Sequence, residues 1–273
     1  MNPNVEPVIY DSFPSEIQSY LKDSNISIIK NKIRSSVYHL ENQTCDSFLK
    51  VTPKGQLKSE AMMTDYLSKY GVCPKVLIYT SDDAQDYLIT DRVIGLDAAS
   101  AEYLVRPERL TEVFAESLSS LHQIKALDCP SINGLEEMVI RAERNYRAGK
   151  VEKGLLRYVG YKSVDVAYKD MLSLYKSVKC EDKVIIHGDY CLPNLILHDF
   201  NKSGYIDVGY AGIGDRHYDI FWGLWSLQYN LKSDNYTPRF IEVYGRHRVD
   251  QDRLHLCGLL SVFNGFRGQD YYE

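Results

Sequence analysis

The sequence predicts an α+β chain built as two lobes, a small β-rich N-terminal one and a larger helical C-terminal one. Three observations carry that expectation. Short β-patterned runs separated by polar turns dominate the stretch up to about residue 90. The texture changes after Gly95 to long apolar stripes at helical spacing. Between them, Asp91 to Gly95 reads as a hinge. The boundary is set at 92/93, giving lobes of 1–92 and 93–273, each long enough to bury a core. Two lobes with a cleft between them are a common way to build a ligand site.

In the first lobe, Ser36–Leu40 and Ser47–Val51 read as strands around the polar turn Glu41–Asp46. Gln56–Tyr70 reads as a helix, with Leu57, Ala61, Met63 and Leu67 at helical spacings, stopped by Gly71. Lys75–Tyr79 and Tyr87–Thr90 read as two more strands flanking the acidic turn Ser81-Asp82-Asp83.

In the second lobe, Arg109–Ile124 puts Leu110, Val113, Phe114, Leu118 and Leu121 on one helical face. Leu135–Tyr175 reads as mostly helical. Val184-Ile185-Ile186 is a short apolar strand leading into His187-Gly188-Asp189. Leu195–Leu197 and Tyr205-Ile206 form a hairpin across His198–Ser203, and the chain from Asp219 reads as helices broken near Ser233 and Gly245.

The bulk numbers exclude several classes. A net charge of −5 gives no long-range attraction to nucleic acid or an anionic membrane. No apolar run approaches membrane-spanning length, and Met1–Ser19 lacks the apolar segment of an export signal. The six cysteines include no C-x-x-C pair, which fits reduced thiols in a cytoplasmic protein.

Glu60 falls on the apolar side of its helix with Met63 and Leu67, so it needs a partner. Lys50, ending an apolar strand, is the candidate, an arrangement that orients nucleotide phosphates in kinases. Asp189 follows a buried strand, and Asn194 lies five residues on. Phosphoryl transfer needs one group to orient the attacking hydroxyl and hard oxygen ligands for Mg²⁺. Asp189 suits the first task; Asn194 and Asp207, in Ile206-Asp207-Val208-Gly209, suit the second. Gly209 is expected to take an unusual backbone angle. Asp215 and Asp219 read as acids of a helix N-terminus.

With Lys50, Glu60, HGDYCLPN and GYIDVGYAGIGDRHYD in this order, the chain resembles the aminoglycoside phosphotransferases from about Lys32 to Phe263. The likeness is greatest to the branch that modifies the 3′-hydroxyl of kanamycin-type drugs. The resemblance implies a bilobal protein-kinase-like fold and transfer of the γ-phosphate of ATP to a hydroxyl of an aminoglycoside or related antibiotic. A metabolic kinase of the same fold, acting on a sugar, choline or an amino alcohol, is the alternative. It implies Lys50 and Glu60 on the α- and β-phosphates, Phe48 stacking on adenine and Ile206 beneath it. Asp91 and Val93 would meet the adenine edge through their backbone, which leaves ATP against GTP open. The turn Arg34-Ser35-Ser36 would cover the phosphates. Asp189 would be the base, Asn194 and Asp207 the Mg²⁺ ligands, His187 and His122 structural, and Cys191 packing. The implied partner is a small hydroxyl-bearing molecule, met by a monomer or weak homodimer.

Relatives of this kind meet their polycationic acceptors with carboxylates. Here the matching stretch Leu259–Phe263 has Ser261 and Val262 where acids are expected, and Trp225-Ser226 replaces another charged position. Tyr210 replaces a basic residue, and Gly149–Val164 is rich in Lys, Arg and Tyr. Trp222, Trp225 and Tyr229 either line an acceptor pocket or pack a helix core. The tail, ending Asp270-Tyr271-Tyr272-Glu273, is a further source of acids.

Overall fold

The computed structural model describes residues 12–22, 24–178 and 182–265. The tail acids, Cys180 and the first eleven residues lie outside the described residues. The elements run α1 Ser15–Leu21, β1 Asn25–Lys32, β2 Ser35–Glu41, β3 Asp46–Pro53, α2 Lys58–Ser68, β4 Val76–Ser81, β5 Gln85–Asp91, β6 Leu96–Asp97, α3 Ala101–Leu104 and α4 Pro107–Leu121. They continue α5 Leu135–Arg147, α6 Lys153–Tyr158, α7 Val164–Ser177, β7 Lys183–Ile186, β8 Leu195–His198, β9 Asn201–Tyr205, β10 Gly212–Asp215, α8 Arg216–Leu231, α9 Thr237–Tyr244 and α10 Gln251–Asn264.

Contacts group the chain into two units. The first comprises the chain up to Leu96 together with Ile196–Asp199 and Ser203–Tyr210. The second comprises Asp97–Leu195, Phe200–Lys202 and the chain from Ala211. A single cut at 92/93 therefore differs from the grouping at both ends. Residues past 92 stay with the first unit because Val93 packs against Gly204. The segment 203–210 joins them through Tyr205 N, which donates to Val72 O at 2.8 Å, and Ser59 Oγ, which donates to Gly209 O at 2.9 Å.

The first unit is organised by a five-stranded antiparallel sheet in the order β1-β2-β3-β5-β4. Strand alternation sorts β3 between two faces. Leu49 and Val51 join Leu40, Tyr87 and Ile89 in one core, against Ile17 and Leu21 of α1. Phe48 and Lys50 take the opposite face. There Leu57, Ala61 and Leu88 form a second small cluster with Val76 and Tyr79. Asp86, buried in β5, accepts from Leu57 N at 2.9 Å and so fixes the start of α2. Gly71, at φ 70°, ends that helical run as expected.

Near the start of the chain, α1 and β1 are absent from the sequence reading. The helix α1 is only 7 residues long, and β1 is largely exposed on a sheet edge, so neither carries a clean apolar period. The turn between β1 and β2 is Ile33-Arg34, with Lys32 paired to Ser35 and Asn31 to Ser36. Ser35 and Ser36 therefore open β2 instead of forming the turn.

In the second unit, α5, α7, α8 and α10 enclose one core that includes Met138, Met171, Phe221, Leu256 and Phe263. The segment 135–175, read as one helical region, is three helices, with Ser163 capping α7 by accepting from Val166 N. β7 pairs antiparallel with β10, a strand not read from the sequence. Its Gly212 and Gly214 admit the backbone of Ser131 and Asn133, which a Cβ would meet at 2.8 and 2.6 Å. A three-stranded sheet has the order β6-β8-β9. The β8–β9 turn, Asp199-Phe200, has both residues at positive φ, the geometry that matches hairpin twist.

Gly95 combines φ 127° with an approach so close that a Cβ would lie 2.0 Å from Leu197 O. Gly95→Ala is expected to cost roughly 2–5 kcal/mol, because backbone strain and overlap with an immobile carbonyl add. Gly55→Ala, at φ 84° with nothing within 4 Å, should cost only about 1 kcal/mol. Thermal unfolding of the two variants side by side checks the contrast.

Candidate active site

The candidate residues form two groups, one within each unit. In the first unit, Lys50 Nζ lies 2.8 Å from both Oε1 and Oε2 of Glu60 and 2.6 Å from Oδ1 of Asp207. Three levels of structure bring them together. β3 alternation turns Lys50 to the α2 side of the sheet, α2 carries Glu60 inward beside the fully buried Met63 and Leu67, and the segment after β9 returns Asp207. Burial works against the charge of Lys50, but Asp207 and then Glu60 outweigh it and raise its pKa, so the ammonium persists. Burial raises the Glu60 carboxyl, opposed by Lys50 and reinforced by Asp207. One cation thus holds two carboxylates whose mutual repulsion would otherwise separate them.

The unusual backbone angle expected at Gly209 belongs to Asp207, at φ 57°. Gly209 serves differently: it lets the chain run close to α2, where a Cβ would stand 3.4 Å from Glu60 Cβ. Asp tolerates the left-handed region better than most residues. The twist after Ile206, which is half-buried, aims the Asp207 carboxylate at Lys50 while leaving 45% of its side chain exposed. Phe48, half-buried on the Lys50 face, stacks on His39 at 5.0 Å between centroids. Asp91 closes β5, its N–H donating to Lys75 O and the next N–H, of Arg92, to Asp46 O. Val93 follows directly. Ser36 Oγ donates to Asn31 Oδ1 across the β1–β2 hairpin at 3.0 Å.

The second group is the loop 187–194 after β7. Asp219, fully buried in the first turn of α8, accepts from His187 N at 2.6 Å and from Gly188 N at 2.8 Å. Its Oδ2 also lies 3.2 Å from Nε2 of His122, at the end of α4. Gly188 takes φ 75° at this turn. His187, itself fully buried, accepts from Asp189 N through Nδ1 at 3.3 Å. Tyr190 stacks on Phe114 at 4.4 Å and donates its hydroxyl to Phe114 O at 2.6 Å. Leu192 N donates to Ser226 Oγ at 2.9 Å. Asn194 closes the loop, its Nδ2 donating to Asp189 O at 2.9 Å and to Asp189 Oδ2 at 3.2 Å. Cys191 is buried, with Sγ 3.9 Å from Asp189 Oδ1. The loop is thus held from α4, α8 and within itself, which presets the Asp189 carboxylate before any ligand arrives.

Asp215 behaves as a helix N-terminal acid: it caps α8 by accepting from His217 N. Burial raises its carboxyl, but the His217 side chain and nearby N–H groups prevail and lower it below the usual range. Asp219 does not serve its own helix; it reaches back over more than thirty residues to the loop. Nothing in the local pattern separates the two acids, which are four residues apart on one helix. Ser226 reads in the sequence only as standing where a charged residue is expected, and the bond it accepts from Leu192 N of the loop is not foreseen there.

The aromatic run on α8 divides. Trp222 and Trp225 are part of the second unit's core, 5.4 Å apart edge to face. Tyr229 is 47% exposed, stacked on Trp225 with Lys232 Nζ 4.2 Å from its ring centre. Ser261 is fully buried and donates to Cys257 O within α10. Neither Ser226 nor Ser261 is therefore open to an acceptor.

This fold, with a lysine–glutamate pair beneath an antiparallel sheet and an aspartate–asparagine loop in a helical unit, is that of the kinase-like phosphotransferases. The aminoglycoside-3′-phosphotransferase of type VIII superposes with a TM-score of 0.72 at 23% identity, over 93% of this chain and 95% of that one. The phosphotransferase APH(3″)-Id of Streptomyces rimosus, solved with ADP and streptomycin, superposes at 0.65 with 22% identity, over 89% of this chain and 96% of its own. At these identities the likeness speaks for the fold.

Sequence relatives are closer. Residues 25–257 match the model of the phosphotransferase enzyme family. A probable aminoglycoside 3′-phosphotransferase of Lactococcus lactis is 33% identical over 93% of this chain and 95% of its own length. An aminoglycoside 3′-phosphotransferase of Niallia circulans is 30% identical over 92% and 97%. The chain belongs to the phosphotransferase enzyme family.

Asp219→Asn replaces an acceptor oxygen with an NH₂ among three donors. It should cost roughly 2–4 kcal/mol of stability, the penalty of leaving buried polar groups unpaired. Amide exchange at His187 and Gly188 should accelerate by about tenfold or more as the loop opens locally. Native-state hydrogen exchange measures both effects in one experiment.

Proposed function

We propose that this phosphotransferase moves the γ-phosphate of ATP to a hydroxyl of an aminoglycoside, with the 3′-hydroxyl of kanamycin-type compounds as the target. The observation that supports it most is the Asp189–Asn194 loop. There a carboxylate is fixed by its own asparagine and by buried bonds to α4 and α8. Phosphoryl transfer is largely a matter of positioning, and a preset carboxylate that accepts the hydroxyl proton meets that need. The relatives from Lactococcus and Niallia supply the acceptor class by their names.

In this reading the first unit is the nucleotide-binding one, and the second is catalytic and acceptor-binding. Lys50, kept protonated by two carboxylates and still partly open, contacts the α- and β-phosphates. Glu60 anchors it. Phe48 and Ile206 bracket the adenine, and Asp91 and Val93 meet its edge by backbone groups. The β1–β2 turn, Ile33-Arg34 with Ser35 and Ser36 behind it, covers the phosphates.

The residues also fit Mg²⁺. Asp207 offers a half-exposed carboxylate. Asn194 has its Nδ2 tied to Asp189, so its Oδ1 is the atom a hard cation can use. Asn194 and Asp207 would hold the ion, which supplies charge neutralisation at the phosphates when bound. Asp189 takes the proton from the acceptor hydroxyl, Lys50 holds the nucleotide in place, and His187 and His122 keep the loop in shape.

A second reading concerns the acceptor's charge. Ser226 and Ser261 occupy positions where carboxylates were expected, and both are buried and internally bonded. An acceptor with fewer ammonium groups than kanamycin would lose less from this change, since rim charge steers and orients a polycation.

Asp189→Ala should abolish acceptor-dependent ADP release, a fall of about a thousandfold or more for loss of a positioned base and its geometry. Binding of Mg·ATP by calorimetry should survive. Near wild-type turnover in that variant would remove Asp189 from the role.

A further inference from the structure

Behind the loop lies a run of buried polar groups that leaves the site altogether. Asp219 is bonded to His122 Nε2, and His122 Nδ1 lies 2.7 Å from the hydroxyl of Tyr244 at the end of α9. That hydroxyl accepts from Arg216 NH1 at 3.1 Å, and Arg216 NH2 donates to Asp182 at 2.9 Å. His122, Tyr244 and Asp219 are all buried, at 6%, 1% and 0% exposure, so none can exchange its partner for water.

The chemistry of the groups sets the direction of every bond. A carboxylate only accepts, so Nε2 of His122 must carry the proton facing Asp219. An arginine only donates, so the Tyr244 oxygen is its acceptor and the phenol proton points elsewhere. The atom within reach of that proton is Nδ1 of His122. A doubly protonated His122 would leave the phenol proton facing an N–H. Burial, the largest influence on His122, also disfavours the charged ring. Burial pushes the Tyr244 phenol up to about 12, so it keeps its proton.

We propose that Tyr244 is a positioning residue for phosphoryl transfer: its hydroxyl, donating to Nδ1, holds the neutral Nε2–H ring of His122 in the orientation that completes the donors around Asp219 and so holds the Asp189 loop. This inference rests on the assignment of Asp189 as the base. Without the phenol, Nδ1 is a buried acceptor lacking its donor, and the ring loses the bond that fixes its orientation, so it can turn toward another partner. A turned ring takes Nε2–H away from the Asp219 carboxylate and so removes one of its three donors. The loop then loses definition at His187 and Gly188, immediately before Asp189, while the Lys50 group is untouched.

The test joins a spectroscopic measurement with kinetics. In the wild-type enzyme, ¹⁵N–¹H correlation of the His122 ring at neutral pH should show Nε2 protonated and Nδ1 bare. Tyr244→Phe should lower kcat by about tenfold, the scale of a modest misplacement of a catalytic group, with KM for ATP and acceptor within about twofold. A protonated Nδ1 in the wild type would overturn the proposal, and so would a folded Tyr244→Phe enzyme with unchanged kcat. If Tyr244→Phe fails to fold, the wild-type ring measurement still decides. Retained turnover in Asp189→Ala alongside a lowered kcat in Tyr244→Phe would sink the base assignment and leave the positioning role of Tyr244 standing.

Discussion

The buried carboxylate of Asp219 is the constraint on which the loop 187–194 depends. A carboxylate without exposure must be surrounded by donors, and this one takes two from the backbone of His187 and Gly188 and one from His122. Meeting that need fixes the turn after β7, including the positive φ of Gly188. Everything past the turn inherits the placement. His187 takes the Asp189 amide, Tyr190 locks onto Phe114, Ser226 takes Leu192, and Asn194 bonds back to Asp189. The Asp189 carboxylate makes few of these bonds itself. Its position is a consequence of buried polar groups around it, each of which is expensive to leave unmade.

The first unit solves a different electrostatic problem. Two carboxylates from distant parts of the chain, Glu60 and Asp207, meet at one ammonium. Lys50 is held from both sides and stays charged, as its proposed contact with phosphate oxygens requires. Asp207 is the more exposed of the two partners of Lys50, and Glu60 the more buried. The helix carrying Glu60 is itself fixed at its start by the buried Asp86.

Much of this was legible in the sequence because it is written in local pattern. The alternation of Phe48, Leu49, Lys50 and Val51 foretold which side of β3 faces α2. The helical phase of Glu60, Met63 and Leu67 placed an acid inward and so demanded a cation. The spacing within HGDYCLPN brought Asp189 and Asn194 into one short loop. What stayed hidden depends on long-range bonding. Asp215 and Asp219 look alike as first-turn acids, yet one caps its helix and the other holds a loop 31 residues away. Tyr244 and His122 meet across 122 positions, and no periodicity announces that. Exposed β1 and short α1 lack an apolar stripe. The apparent strain at Gly209 belonged to Asp207, because the twist is needed where the side chain must turn, not where the glycine lies. Trp222 and Trp225 proved to be core, a distinction composition cannot make.

The acceptor side is where the chain departs most from the pattern it otherwise follows, with Ser226 and Ser261 committed to internal bonds. The central claim, transfer of phosphate from ATP to an aminoglycoside hydroxyl, is most directly tested by ADP release with Mg·ATP. The acceptors would be kanamycin, a kanamycin analogue lacking the 3′-hydroxyl, choline and simple sugars. Turnover with kanamycin and none with the deoxy analogue is the predicted result. Turnover with choline or a sugar and none with any aminoglycoside would contradict it, and would mean that the same phosphotransferase core serves a metabolic alcohol.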